Sequence, residues 1–558
     1  MYRHRFIIST AVVAAVVGFV PAVAQAAGPS AAPGGAATAT APAAGAPAEQ
    51  AGQAAAEQDL AAKGVGAAQQ KTAAAAPSSA PSAAPKFTVG VGSYSTDSLS
   101  VGVATGVTTD LPNGSIGYQL DWGDGSPVET DAANASAYGH FKHTFRKAGT
   151  HTITVTATDQ TSKLTATTTA EVVLNGSEFT PYAPTRLLDT RDGTGAPYVG
   201  AVGPNAATRV KVAGRGGIPA GVSAVALNIT ATNAVADGHV IAFASGTSQP
   251  TTSNVNFAAG RTVPTLAIVP VGADGYVELA NRSGGTVDLI ADVTGYFTKA
   301  AANGYTSVKP ARIADTREGK GTAQGQVAGQ GTFDLQVAGQ GGLPVQGVAA
   351  VALNVTVTNP QGSGHLTVSP GGGQPSATSN LNFEPGQTVA NAVIVPVGAD
   401  GKVSVRNGSW SGADVIVDVT GYYSADGKSA YRPVEPRRVW DSRSLSLPLK
   451  GQDYYQQYAG GIVGRSAEAL VLNTTVTNTQ GSGHLSVAPD PNAADAYGTG
   501  KAVRPTPPDS SVLNWEKGAT VSNLVQADVS GADTVDVWNR GWESTDLIID
   551  VFGVYDKI

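Results

Sequence analysis

The chain has no cysteine and a single methionine among 558 residues. That excludes a disulfide scaffold, a cysteine-ligated zinc module and a thiol nucleophile. Charge is scarce, with Asp, Glu, Lys and Arg making up 14% of the sequence, well under the roughly 25% of ordinary soluble domains. The 35 basic and 42 acidic side chains leave a net charge of −7, which offers no electrostatic footprint for nucleic acid. Aromatic residues account for only 6%. No apolar run reaches the about 20 residues that a spanning helix needs. What is abundant is glycine, 69 residues, and proline, 33. At roughly 150 residues per domain, a chain of this length has room for about four domains.

The N-terminus reads as an export signal. Arg3, His4 and Arg5 precede the apolar run Phe6–Val20 and Pro21, and Ala24-Gln25-Ala26 supplies a small-x-small cleavage site. Residues 1–26 are therefore predicted to be a signal peptide, with Ala27 the mature start. The end, Val554-Tyr555-Asp556-Lys557-Ile558, has no hydrophobic tail, and the expectation is a secreted, released protein, with the bacterial cell surface as an alternative address. Residues 27–85 are nearly all Ala, Pro, Gly, Ser, Thr and Gln. With almost no large apolar side chain they cannot offset the entropy of ordering. This stretch is expected to be a disordered linker with a helical patch around Gln53–Gln70, the alternative being a wall-spanning or glycosylated stalk.

Composition changes at Lys86. Alternating Val, Thr and Ile are punctuated by Asn113-Gly114, Gly123, Gly125 and Gly149 as turn residues. Ile153 and Val155 fall on one strand face, and Thr152, Thr154 and Thr156 on the other. The segments Tyr118–Ser126, containing Trp122-Gly123-Asp124-Gly125, and His143–Asp159 resemble the signature of the PKD domain. That resemblance implies an immunoglobulin-like β-sandwich over 86–176, usually an accessory module of extracellular enzymes and surface proteins. Trp122 is expected in the core, with a sugar-stacking platform as the alternative. Asp121 and Asp124 are expected to cap the turn; calcium there is the alternative, but the regular spacing of a calcium loop is missing. His140 and His143, three apart, fall on opposite faces of an extended segment, which argues against zinc.

The rest of the chain is a repeat. Pro184-Thr185-Arg186-Leu187-Leu188-Asp189-Thr190-Arg191 returns around Arg312, Asp315 and Arg317, and again around Arg438, Asp441 and Arg443, with the aspartates 126 residues apart each time. Each copy then shows an Asn-x-Thr at Asn228, Asn354 or Asn473, and a Gly-His at His239, His365 or His484. Each closes on Asp292, Asp418 or Asp550 followed three residues later by glycine. The copies span 177–298, 303–424 and 429–558. They resemble a module of about 120 residues found in tandem in exported proteins of actinobacteria, a resemblance that implies a compartment and little more. The third copy departs most, with an added stretch Asp490–Asp509 that reads as an inserted surface loop; if one copy carries a specialised site, it is this one.

About eight short strands and no helical period are legible in each copy. In 225–231 the apolar side chains lie on odd positions, with Asn228 and Thr230 facing the other way. Val263–Val271 and Val389–Val397 read as central buried strands. The fold class is therefore all-β: an immunoglobulin-like sandwich followed by three β-sandwich or jelly-roll-like repeats. A propeller with two blades per copy is the rival.

Asp189 and Arg191, Asp315 and Arg317, and Asp441 and Arg443 are two apart, which on one strand puts both side chains on one face. They are read as a structural ion-pair network that Asp292, Asp418 and Asp550 join. A ligand site is the alternative, and paired-carboxylate catalysis is disfavoured because each acid has an arginine to keep it ionised. The three Gly-His histidines read as strand-end residues, not metal ligands. The Asn-x-Thr sites match a glycosylation motif but sit mid-strand. The glycines 214–217 have no following helix and fail the context test for a phosphate loop. No metal or organic cofactor is expected.

The leading reading is a secreted, non-catalytic string of sandwiches of adhesion or cell-surface type, binding extracellular polysaccharide or a protein partner. Trp538, Trp542, Trp440 and Trp410 are the candidate contacts, with Tyr454 and Tyr455 beside them, and Trp538 and Trp542 the favoured pair. A spacer or matrix component and an unrecognised hydrolase are the alternatives.

Overall fold

A computed structural model describes residues 46–63, 65, 85–373, 376, 378–463, 467–529 and 533–556. The expected signal peptide lies outside them. Within 27–85, the stretch expected to be a disordered linker, the described part carries a helix, Ala46–Ala62. It overlaps the expected helical patch but starts and ends earlier. Leu60 and Ala56 pack with Ala104 of the domain that follows, and the Tyr138 hydroxyl donates to the Glu57 carbonyl at 3.2 Å. Glycine makes this seat: a Cβ on Gly90 would meet Val65 and Leu60, and one on Gly92 would meet Ala56. Composition alone underrates the helix because its ordering is offset by tertiary burial, not by its own propensity.

The first folded domain is a sandwich of a three-stranded sheet (Phe87–Ser95, Ser100–Thr109, Gly139–Thr144) and a four-stranded sheet (Glu129–Asn134, Ser115–Asp121, Thr150–Asp159, Thr165–Val173). Alternation along 150–159 buries Ile153, Val155 and Ala157. Trp122 lies between the sheets, its indole N–H donating to Glu129 Oε1 at 2.9 Å and its ring stacked on His143. Asp121 and Asp124 accept the backbone N–H groups of Gly123 and Ser126, which closes the turn.

Each copy of the long repeat folds as eight antiparallel strands. In the first copy these are Glu178–Asp189, Ala207–Lys211, Val222–Thr232, Gly238–Ala244, Val255–Phe257, Val263–Pro270, Tyr276–Ser283 and Asp288–Thr298. Strands one, eight, three and six form one sheet, and strands two, seven, four and five the other. All three copies share this order. It is jelly-roll topology, and the propeller rival is excluded: in each copy the two sheets close over one apolar core.

The copies are not beads on a string. In strand three of the first copy, Val225, Leu227, Ile229 and Ala231 fill that copy's own core, while Ala224 and Ala226 face outward into a second core. The matching residues Ala350 and Ala352, and Ala469 and Val471, enter the same shared core. Small side chains there let three sheets approach closely. Six rings close one end of it: Phe179 packs on Tyr423, Tyr305 on Tyr555, and Tyr431 on Phe297, at centroid distances of 4.2, 4.3 and 4.8 Å. Backbone bridges follow the same cycle, Phe179 with Asn303, Tyr305 with Ser429, and Tyr431 with Ser177. The three jelly rolls are thus related by a pseudo-threefold axis, and the ring of contacts is closed within one chain.

The sandwich that precedes them is fixed at the ring-bearing, proximal end. Ser98 N donates to Asp556 Oδ2 at 3.0 Å, and Ala148 N to Glu178 Oε1 at 3.1 Å. Asp556 is held in turn by the Arg432 guanidinium at 2.9 and 3.0 Å.

Candidate functional site

The distal end of the body gathers the repeated polar residues. Strand one of each copy carries an extra residue there: Arg186 lies opposite Asp292 and Leu188 opposite Ala291, so Leu187 is a bulge. Residues three apart on a regular strand face opposite ways; the bulge returns Arg186 and Asp189 to one face. Arg186 then bridges two buried carboxylates, Nε to Asp292 Oδ1 at 3.0 Å and Nη1 to Asp189 Oδ2 at 3.0 Å. Arg312 and Arg438 repeat this with Asp418 and Asp315, and with Asp550 and Asp441.

Arg191, Arg317 and Arg443 grip the same aspartates bidentately, at 2.9 and 2.7 Å in every copy. They are not on the strand, as the two-residue spacing suggests. Strand one ends at Asp189, Asp315 or Asp441, and the arginine reaches back from the turn or, in the third copy, from the short helix Ser442–Leu445. Arg186 and its equivalents were legible in the repeated motif, but their bridging role depends on a bulge that spacing does not reveal. Hydrogen bonds from Arg443 hold Asp441 down at about 2. Burial pushes Asp292, Asp418 and Asp550 up, against the pull of their arginines.

These bridges stand beside the seams between copies. Asp418 Oδ2 accepts Ser511 N at 3.0 Å, and Arg312 donates to the Asp509 carbonyl at 2.8 Å. Asn228, Asn354 and Asn473 are buried and cross the seams, donating to the carbonyls of Ser379, Ser511 and Ser253 at 2.7, 2.6 and 2.7 Å. The polar face of strand three is therefore an interface face, and these asparagines bond another copy, Asn354 donating also to its own neighbour Thr356 at 3.5 Å. His239, His365 and His484 sit in the second position of strand four, opposite Asn256, Asn382 and Asn514. Burial lowers all three, and His484, with Arg540 and Arg312 near, falls to about 4. Among the described residues no three His, Cys, Asp or Glu side chains come together as a metal cluster.

Where the three copies meet at this end there is a hollow of about 680 Å³, within the size range of small-molecule sites. Phe257, Phe383 and Trp515 line it in matching positions, together with Asn256, Asn382 and Asn514. Its charged lining is unsymmetrical, with Asp237 and Arg261 from one copy and Glu384 and Glu516 from the others.

The four candidate tryptophans divide. Trp440 is 7% exposed because it points into the third copy's core, where Leu188 and Ala314 stand in the other copies. Trp538 is 2% exposed and stacked beneath Tyr454 at 4.3 Å. Neither presents a face to a ligand, so the favoured pair Trp538 and Trp542 is corrected. Tyr455 is likewise stacked, on Trp440.

Trp410 and Trp542 are 89% and 85% exposed. They occupy equivalent places, three residues after Asn407 and Asn539, in the loop between strands seven and eight; the first copy has Gly284 there. Those asparagines are fully buried and organise the loop: Asn407 Nδ2 donates to the carbonyls of Val327 and Ser411 at 3.0 and 2.8 Å, and Asn539 Nδ2 to those of Leu449 and Glu543 at 3.1 and 2.9 Å. The loops lie beside the start of strand four, at the end that bears the hollow.

Residues 94–172, about a seventh of the chain, match the PKD domain family. No curated protein sequence matches the chain. Among solved structures, similar chains include one from the Sulfolobus Turreted Icosahedral Virus (11% identity, 69% of this chain and 92% of that one, TM-score 0.14). Another is described under the triple jelly roll fold and turret assembly of an archaeal virus (11% identity, 68% and 91%, TM-score 0.15). A third is a SusE-like protein (11% identity, 35% and 93%, TM-score 0.11). At these TM-scores the likenesses carry no weight for fold or function. PKD domains are typical of extracellular proteins, and no helix among the described residues is long and apolar enough to cross a membrane.

Proposed function

We propose that the chain is a secreted, non-catalytic protein of adhesion or cell-surface type that binds extracellular polysaccharide through the distal end of its three-jelly-roll body. The carrying observation is the pair Trp410 and Trp542, nearly fully exposed on equivalent, asparagine-braced loops. An exposed indole presents an apolar face with a polar edge, and stacking on a sugar ring is what such a face does well. The amides of Asn256, Asn382 and Asn514 at the hollow supply hydrogen-bonding groups of the kind that sugar hydroxyls accept and donate to. The PKD domain is fixed at the opposite, proximal end of the body. The resemblance of the repeats to modules of exported actinobacterial proteins agrees with this address. Within the bridges each aspartate is held by arginine, which suits a scaffold better than acid–base chemistry.

The test is sedimentation of the full chain with insoluble peptidoglycan, chitin and cellulose. Retention on one polymer, lost in the Trp410→Ala/Trp542→Ala double variant with unchanged thermal unfolding, is the expected result. No retention on any polymer, with capture by a cell-surface protein instead, reassigns the partner. Release of soluble sugar would overturn the non-catalytic reading.

A further inference from the structure

The third copy differs from its siblings on the outer face of the sheet formed by strands two, seven, four and five. At one cross-strand position the first copy pairs Arg209 with Glu278, Nε to Oε1 at 3.1 Å. The second copy pairs Asp334 with Ser404 through a hydrogen bond. The third pairs Gln456 with Asp536. The acid is present there and the cation is not.

Asp536 is 1% exposed; Asp490 and Gln456 stand beside its carboxylate, but neither oxygen is met in hydrogen-bonding geometry. The insert supplies a second buried acid where a cation is needed. Asp490, 2% exposed, accepts Asn492 N and Nδ2 at 2.7 and 2.8 Å on one oxygen. Its other oxygen accepts Gln456 Nε2 at 2.5 Å and the Tyr497 hydroxyl. Arg504, also on the insert, is paired with Asp453 at 3.0 Å and stands over the Tyr454 ring. Burial and the nearby Asp490 charge push Asp536 up to about 8. Ionising Asp536 beside Asp490 without a counter-charge is unfavourable.

We propose that Asp490 and Asp536 hold a divalent cation of the calcium class, with Gln456 and Tyr497 contributing neutral oxygens, and that this ion ties the insert to the sheet. Two carboxylates balance its charge. The surrounding donors are carboxylate, amide and hydroxyl oxygens, the set a hard cation takes, and no imidazole or sulfur is among them. Rotating the Gln456 amide by half a turn presents Oε1 in place of Nε2. The inserted helix Ala494–Thr499, which carries Tyr497, is then fastened to strands two and seven through one ion.

The experiment is thermal unfolding of the full chain at pH 8, after chelation and then with millimolar calcium or magnesium chloride, beside a calorimetric titration with calcium. Wild type should bind one calcium ion at this site and rise in Tm by a few degrees, with a smaller response to magnesium. Asp536→Asn should fold, unfold no lower than chelated wild type, and lose the calcium response; Asp490→Asn should lose it too. A wild-type Tm that ignores calcium overturns the proposal and leaves the pair sharing a proton. An undiminished response in Asp536→Asn also overturns it, by placing the ion elsewhere.

Discussion

Asn391 Nδ2 donates to Asn228 Oδ1 at 3.0 Å across the seam between the first and second copies. Asn523 makes the same bond to Asn354 at 3.1 Å across the next seam. The third seam has Thr265 at the donor position, and both Asn473 Oδ1 and Thr265 Oγ1 are buried without a partner. Thr265→Asn should complete the cycle and stabilise the chain by about 1 kcal/mol, the usual net worth of a buried hydrogen bond. Denaturant titration checks it; a fall in the midpoint would show that this seam lacks the room the other two have.

The glycine closing each repeat motif is explained by the proximal rings. A Cβ on Gly295, Gly421 or Gly553 would lie 2.0, 2.1 or 2.3 Å from atoms of Phe179, Tyr305 or Tyr431. Gly421→Ala is expected to cost about 1–3 kcal/mol as an overpacking change. The urea midpoint should fall accordingly, and near-ultraviolet circular dichroism should report the displaced tyrosines.

The two arginines on each strand-one aspartate differ in worth. Arg312 spans Asp315 and the buried Asp418, so Arg312→Ala strands a buried carboxylate and should cost about 3–5 kcal/mol. Arg443, nearly half exposed, should cost about 0–1 kcal/mol when replaced by alanine. Comparable losses from the two variants would refute the assignment of the bridge to the strand arginine.

His484 predicts a pH dependence. Its folded value, about 4 through burial and the neighbouring Arg540 and Arg312, lies below the about 6.5 of an unfolded chain. Between these values the unfolded chain binds more protons, so stability is full above about pH 6.5 and is lost as pH falls toward 4. His239 and His365 shift in the same direction. Tm measured from pH 7.5 down to 4 should fall less steeply for His484→Gln than for wild type; parallel curves would mean that the histidine does not titrate with unfolding.

Much of this architecture is legible along the chain. The alternation of Ile153 and Val155 with threonines, and of Val225, Leu227 and Ile229 with Asn228 and Thr230, sets strands and their inward faces, because side chains on a strand alternate with a period of two. The spacing of Asp189, Asp315 and Asp441 establishes three equivalent units. Topology alone turned Asn228 from an outward-facing residue into a donor to a neighbouring copy, and made the outward-facing Ala224 and Ala226 residues of a second, shared core. The sequence could not show this, because the face opposite a sandwich core reads the same whether water or another sheet covers it. Trp538 and Trp410 carry the same side chain, and only the packing of Tyr454 and the buried anchor Asn407 makes one a core residue and the other a surface. Local pattern determined strands, repeats and polar motifs; the closure of three jelly rolls about one axis decided which polar residues meet, since burial depends on what lies across the seam and not on what lies next along the chain.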